Sequence, residues 1–363
     1  MKILQIIPSL EIGGAEAVVD TLSRKLADNG DKVSILTESE LTGFSKSLNI
    51  DYLSISARNS TNRLMKIIKL VVWPIENRKI IREFQIIHCH LTRGMLVGLV
   101  ITFLPMRSRP RVVGTCHSVG GNISSSRILL EKICAKRFDA FVLMAITRDW
   151  DQFRRKNGRI AYIPNGIDPI QSKPRLSRTS DNSFVIGTLS RLTQDRKPWL
   201  FISLFKKIQD INPNVKFLIG GDGPLKGNLE SMAKDAKLAD ISWAGEVNNK
   251  PVFFGRLDLY VMLTVGEISG VAGLEAISAG LPVYGIQISE DTIREENSFV
   301  MSLSNLDILA SNICEAINNS SELAKVTKNQ KNVFMNSYQS STMLQKYSDL
   351  YKNLLSKEML KND

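Results

Sequence analysis

Short apolar runs recur along the chain, and most are followed by a turn rich in glycine or proline and then by apolar residues three and four apart. The first run, ILQIIPSL from Ile3, leads into Ile12-Gly13-Gly14-Ala15-Glu16 and then Val18, Val19, Leu22 and Leu26 at helical spacing. KVSILT follows Gly30, so the opening reads as strand, helix, strand, which predicts a parallel sheet. FQIIHCHL (84–91), RVVGTCHS (111–118), FDAFVLMAI (138–146) and IAYI (160–163) add four strands. The pattern lapses after IPNGID in DPIQSKPRLSRTSDNS, whose Pro, Ser, Arg and Asn content predicts a linker over 169–183. It resumes with FVIGTLSRL (184–192), a helix from Pro198, KFLIGGDGPL (216–225), ISWAGEV (241–247), LDLYVML (257–263) and LPVYGI (281–286). A helical tail from about Ser337 to Lys357 carries Tyr338, Met343, Leu344, Tyr347, Leu350, Tyr351 and Leu354 as an apolar stripe. The expected fold is α/β with two Rossmann-like domains, 1–168 and 184–336, and with the terminal helix (337–363) packing back on the first domain. A chain of 363 residues is long for one core, which agrees with two domains.

Composition adds little beyond class: 43% hydrophobic and 23% charged residues are those of a globular protein. No apolar run reaches the about 18 residues of a membrane span. MKILQIIPSL reads as a first buried strand rather than an export signal. Cys89, Cys116, Cys134 and Cys314 show no paired spacing, which suits a reducing compartment. His88, His90 and His117 form no zinc pattern, and no bound metal is expected.

Charge changes the picture more. The net +11 is concentrated in residues 1–168, where 25 Lys and Arg face 15 Asp and Glu. Within 63–83, Arg63, Lys66, Lys69, Arg78, Lys79 and Arg82 alternate with Leu64, Ile67, Ile68, Val71, Val72, Trp73 and Ile80. A basic, tryptophan-bearing amphipathic stretch suits an anionic bilayer, although core packing with a solvated basic face is the commoner use of such a pattern. Pro74 is expected to break this helix. Arg107, Arg109, Arg111 and Arg154 to Lys156 extend the basic surface. No nucleic-acid-binding module accompanies the charge, so nucleic acid is not an expected partner.

The candidate chemistry lies in the second half. VGEISGVAGLEAISAGLPV (265–283) sets Glu267 and Glu275 eight positions apart around a loop-to-helix start at Gly270, Val271 and Ala272, with Gly280 and Pro282 as stop signals. Free N–H groups at such a start favour a phosphate. Arg191 and Lys197 follow a strand in SRLTQDRKP and suit a pyrophosphate leaving group. Gly13-Gly14 lets backbone approach a ligand, and His117 stands at a strand's C-terminal end, where open α/β sheets bind ligands. His90 stands similarly and is the weaker candidate. Taken singly, each of these groups is more often a surface charge, a turn or a core histidine.

Together, GGAE (13–16), the histidine of TCHS, PNGID (164–168), Arg191 with Lys197, GGDGP (220–224) and the Glu267/Glu275 pair with its EAISAGLPV tail resemble the retaining glycosyltransferases of family 4. The resemblance covers nearly the whole chain and implies the GT-B fold, two Rossmann-like domains facing across a cleft. Departures from the family pattern are Ile268-Ser269 after the first glutamate and Pro198 after the lysine. The resemblance implies that Arg191 and Lys197 clamp the donor diphosphate, with Gly13, Gly14, Gly270, Val271 and Ala272. It implies that Glu275 holds the ribose, that Glu267 and His117 meet the transferred sugar, and that Trp243 to Gly245 and the turn at Gly221 line the base. It also implies a metal-independent, front-face transfer without a cofactor, from a UDP- or GDP-linked sugar to a glycan or lipid-linked acceptor. The setting implied is assembly of cell-surface polysaccharide such as O-antigen, lipopolysaccharide or capsule. The expected location is the cytoplasm, with peripheral attachment to an anionic membrane face left open. A nucleotide-sugar 2-epimerase and a non-catalytic binding protein of the same fold are the alternatives.

Overall fold

A computed structural model describes residues 1–10, 14–38, 50–55, 63–106, 108–117, 124–144, 150, 153, 159–172, 183–264, 271–287 and 305–359. The chain divides into two compact units, one of residues 1–166 with 340–363 and one of residues 167–339.

Unit 1 is built on a parallel sheet in the order β3-β2-β1-β4-β5-β6-β7. Its strands are β1 Lys2–Ile6, β2 Lys32–Thr37, β3 Ile50–Ser54, β4 Ile86–His90, β5 Arg111–Cys116, β6 Ala140–Leu143 and β7 Ile160–Tyr162. The inner strands are buried on both faces, which their near-continuous apolar runs require. Helices α1 (Gly14–Asp28), α2 (Arg63–Glu76), α3 (Arg78–Ile81), α4 (Leu91–Phe103) and α5 (Ser125–Arg137) connect them. The amphipathic α1 buries Val18, Val19, Leu22 and Leu26 and packs beside the C-terminal helix Ser340–Met359, which belongs to this unit.

Three expectations need correction here. Pro74 does not break its helix: α2 runs through it to Glu76, because the one bond proline cannot donate is the only one lost. The ladder resumes when Asn77 N donates to Trp73 O at 3.0 Å. Arg109 and Arg111 are not free surface charges, since both pair with Asp139, at 3.0 and 3.2 Å. The tail is one helix, but it starts at Ser340 rather than Ser337. Tyr338 and Gln339 separate it from the preceding helix Ser320–Ser337, and Tyr338 is buried in the core of unit 2 instead of joining the tail's stripe.

Unit 2 carries a five-stranded parallel sheet, order β10-β9-β8-β11-β12. The strands are β8 Phe184–Leu189, β9 Val215–Gly220, β10 Ile241–Gly245, β11 Leu259–Thr264 and β12 Val283–Gln287. Phe201, Phe205 and Phe217 belong to one apolar cluster of the unit, and Phe254, Tyr260, Leu274 and Phe334 to another. Helix α6, Val271–Ser278, links β11 towards β12 and buries Leu274 to Ile277. Gly273 near its start lets Met262 pack closely, since a Cβ there would lie 2.4 Å from Met262 Sδ and would require that side chain to move.

Candidate functional site

In unit 2 the loops after β8, β9 and β10 meet at one edge of the sheet. Ser190 N donates to Gly220 O at 3.1 Å, Leu192 N to Asp222 O at 2.9 Å, and Gly221 N to Gly245 O at 2.7 Å. These backbone bonds stitch the turn carrying Arg191 to the GGDGP turn and to the end of β10. Gly221 has φ +113°, and a Cβ on it would sit 1.9 Å from Ser190 O, so no larger residue fits without moving the loop. Tyr260 pins the end of β8 from below: its hydroxyl accepts from Leu189 N at 3.2 Å and donates to Leu189 O at 3.1 Å.

Arg191 is exposed and lies 3.9 Å from the likewise exposed Asp195. Lys197 ends a 3₁₀ turn in the left-handed conformation, φ +47° and ψ +52°. A strained lysine between two candidate loops is the kind of backbone outlier that clusters at ligand sites. Gly245 is also left-handed, at φ +64°.

The start of α6 stands at the same sheet edge, following β11. Val271 and Ala272 are half-buried there, and one turn on lies Glu275, only 7% exposed. Its Oε1 accepts from Lys250 Nζ at 2.6 Å. Burial pushes the Glu275 carboxyl up, and the Lys250 ammonium opposes that shift. The carboxylate is thus held through Oε1 by Lys250. Lys250 escaped the sequence reading. The only local signal was Asn249-Lys250-Pro251, a capped helix start in which Asn249 accepts from Val252 N.

In unit 1, His117 follows β5 and is buried. Its Nε2 lies 2.8 Å from Nδ1 of His90, whose Nε2 lies 2.7 Å from Gln5 Oε1. His117 Nδ1 is buried and has no hydrogen-bond partner among the described residues. Burial, and secondarily the Arg127 cation, depress its pKa to about 3. Arg127 is itself anchored to the buried Glu131 at 2.8 Å. His88 is used differently, bonding Tyr351 at 2.8 Å and Thr115 at 2.7 Å and so tying the C-terminal helix to the sheet. Gly14 begins α1 and is exposed. Gly13, Glu267 and Gly270 lie outside the described residues.

Arg191, Lys197, Gly221, Gly245, Val271, Ala272 and Glu275 therefore share one edge of unit 2, while Gly14 and His117 belong to unit 1. Two family models tile the chain in the same way: one described as Glycosyltransferase Family 4 matches residues 12–171, and one described as Glycosyl transferases group 1 matches 170–333. The chain belongs to glycosyltransferase family 4. Among its relatives, the phosphatidylinositol N-acetylglucosaminyltransferase gpi3 subunit of Schizosaccharomyces pombe is 26% identical over 76% of this chain and 63% of its own length. The UDP-Gal:alpha-D-GlcNAc-diphosphoundecaprenol alpha-1,3-galactosyltransferase of Escherichia coli is 25% identical over 74% of this chain and 75% of its own. The chain thus spans less than two thirds of the first of these relatives. Sucrose-phosphate synthase from Thermosynechococcus elongatus superposes with a TM-score of 0.80 at 16% identity, covering 98% of this chain and 99% of that one. That likeness shows the GT-B fold.

Proposed function

We propose that this family 4 glycosyltransferase moves a sugar from a UDP- or GDP-linked donor to a lipid-linked or glycan acceptor, with retention and without a metal, in cell-surface polysaccharide assembly. The carrying observation is the edge of unit 2, where two cations, two turns with left-handed glycines, a helix start and a buried carboxylate lie on adjoining loops. Arg191 and Lys197 would neutralise charge growing on the leaving diphosphate, and the N–H groups of Val271 and Ala272 would add to that field. Lys250 opposes the effect of burial on Glu275, whose carboxylate would accept from ribose hydroxyls. The departing phosphate would take the acceptor proton, with Glu267 and His117 orienting the sugar. The E. coli relative, named for a UDP-linked donor and a diphosphoundecaprenol acceptor, supports this substrate class.

The test is transfer from a panel of UDP- and GDP-sugars to a diphosphoundecaprenol-linked acceptor, with and without EDTA. The expected product keeps the donor's α configuration at unchanged rate in EDTA. An inverted product, or activity abolished by chelation, would contradict the proposal.

A second observation bears on where the enzyme works. Apolar residues of α2 point outward rather than into the core: Leu64, Ile67 and Ile68 are exposed, as are Phe103 on α4 and Leu129 and Ile133 on α5. These helices pack side by side, and Lys66, Lys69, Lys136 and Arg137 stand among the apolar groups. Arg137 lies 4.3 Å above the Phe103 ring. Large apolar groups interleaved with cations support attachment to an anionic bilayer, each nearby cation contributing about 1 kcal/mol. No helix among the described residues is long and apolar enough to cross a membrane. Flotation with phosphatidylglycerol vesicles, reduced in an Ile67→Ser/Ile68→Ser double variant, is the expected result. Equal recovery with neutral and anionic vesicles would remove this part of the proposal.

A further inference from the structure

β8 and β11 are neighbours in the sheet of unit 2, yet the chain reaches β11 only after stepping outward from β8 through β9 to β10. The strand order reverses between them, and at such a reversal open parallel sheets form a crevice beyond the C-terminal ends of their strands. The pairing at this place is short. β8 and β11 are in register only at Ile186 with Leu259 and Gly187 with Tyr260. β8 nevertheless stays paired with β9 as far as Leu189, and β11 with β12 as far as Thr264. The two central strands therefore part before β8 ends.

The backbone groups left over at the parting still need partners. Val185, Gly187 and Leu189 alternate with the residues of β8 that face β9. Below the short ladder, Val185 O accepts from Asp258 N at 2.8 Å, and Val185 N donates to Asp258 Oδ2 at 2.8 Å. Above it, both groups of Leu189 go to one side chain. Leu189 N donates to the Tyr260 hydroxyl at 3.2 Å, and that hydroxyl donates to Leu189 O at 3.1 Å. A phenol thus stands in for the missing rung. Tyr260 is buried in the same apolar cluster as Leu274, with Phe254 edge-on at 6.0 Å between ring centroids, so the side chain cannot swing away. Burial chiefly, with the Glu275 carboxyl adding to it, pushes the Tyr260 pKa up, and the hydroxyl keeps the proton it donates. The tethered Leu189 is two positions before Arg191. Ser190 and Leu192, on either side of Arg191, are held by the turn at 220–222. The Tyr260 bonds tie that loop to the half of the sheet that carries α6 and Glu275.

We infer that Tyr260 is a positioning residue, whose hydroxyl closes the gap at the end of β8 and so sets the place from which Arg191 meets the diphosphate of a bound nucleotide. The diphosphate rests on the transferase reading proposed above. The tether does not.

Tyr260→Phe removes the hydroxyl and leaves the ring in its packing. UDP and GDP are the probes, titrated calorimetrically in EDTA into the full-length parent, Tyr260→Phe, Arg191→Ala and the double variant. The nucleotide that the parent binds should bind Tyr260→Phe about tenfold more weakly, the size of effect that one lost hydrogen bond supports. In the Arg191→Ala background the same change should cost about twofold or less, because no guanidinium remains to be placed. An equal loss in both backgrounds would make Tyr260 a general support of the fold and would overturn the inference. Unaltered affinity in Tyr260→Phe would overturn it too. Amide exchange at Leu189 is a second measure that needs no change at Tyr260. It should be slow in the parent and slower still with nucleotide, and exchange that nucleotide leaves unaffected would deny the coupling. Failure of the transferase reading shows separately: neither nucleotide binds the parent, or Arg191→Ala binds it as tightly as the parent does. Either result removes the diphosphate from the inference, and slow or fast exchange at Leu189 still decides for or against the tether.

Discussion

Lys197 holds a conformation that a glycine would hold without strain. The left-handed region costs a non-glycine residue about 1–2 kcal/mol, and Lys197 sits there at φ +47°. Two substitutions separate its backbone from its charge. Lys197→Ala keeps the strain and loses the ammonium, whereas Lys197→Gly loses both. The glycine variant should be more stable than the alanine variant by about 1 kcal/mol, while both lose nucleotide diphosphate affinity to a similar degree. Equal stability, read from urea midpoints, would mean that the conformation is not strained. The histidines set a different limit. His88, His90 and His117 all have pKa values lowered chiefly by burial, His117 to about 3. The unfolded chain takes up these protons near pH 6.5, but the folded chain does not until far below it. Stability is therefore intact above pH 6.5 and is lost as pH falls, at about 1.4 kcal/mol per pH unit for each histidine. The melting temperature at pH 5 should lie well below that at pH 7.5, and a flat profile would show that the rings are not buried neutral. Single residues were the least legible feature of the sequence. His117, Arg191, Lys197 and Glu275 could be named from motifs. Lys250 is 25 positions from Glu275 and His90 is 27 from His117, and only the fold brings each pair together.

Elements were legible wherever apolar runs were long. The inner strands of both sheets announce themselves because they are buried on both faces. β3, reading IDYLS, did not, since its burial falls away after Ile50. The course of α2 through Pro74 was also hidden, because local propensity cannot see that two further residues and the Asn77 bond complete the last turn. The glycines of GGDGP were visible but their purpose was not. Gly221 is required because the loop after β8 passes directly over it, and Gly221→Ala forces Cβ into the Ser190 carbonyl. We expect that change to destabilise unit 2 by about 2–4 kcal/mol, through overpacking together with an unfavourable φ. Circular dichroism melting checks it. A melting temperature within a degree of the parent would show that the two loops are not locked together.

At the scale of the molecule, the division of labour follows the charge. The basic half of the sequence builds unit 1, which exposes apolar groups among lysines on one helical layer and carries the histidine line. The nearly neutral half builds unit 2, where Arg191, Lys197 and Lys250 stand on or beside the loops around the buried Glu275. Composition alone revealed the asymmetry, and the parallel arrangement of each sheet explains why loops at one edge can hold a ligand. The central claim is that the edge of unit 2 binds a nucleotide diphosphate through Lys197 and Glu275 without a metal. The most direct test is the melting temperature of the purified protein with UDP, GDP, ADP or CMP in EDTA. A ligand at about 100 times its dissociation constant adds about 2.7 kcal/mol, a readily measured shift. The account predicts a rise with UDP or GDP that disappears in both Lys197→Ala and Glu275→Ala. No rise with any nucleotide, or a rise that needs a divalent cation, would contradict it.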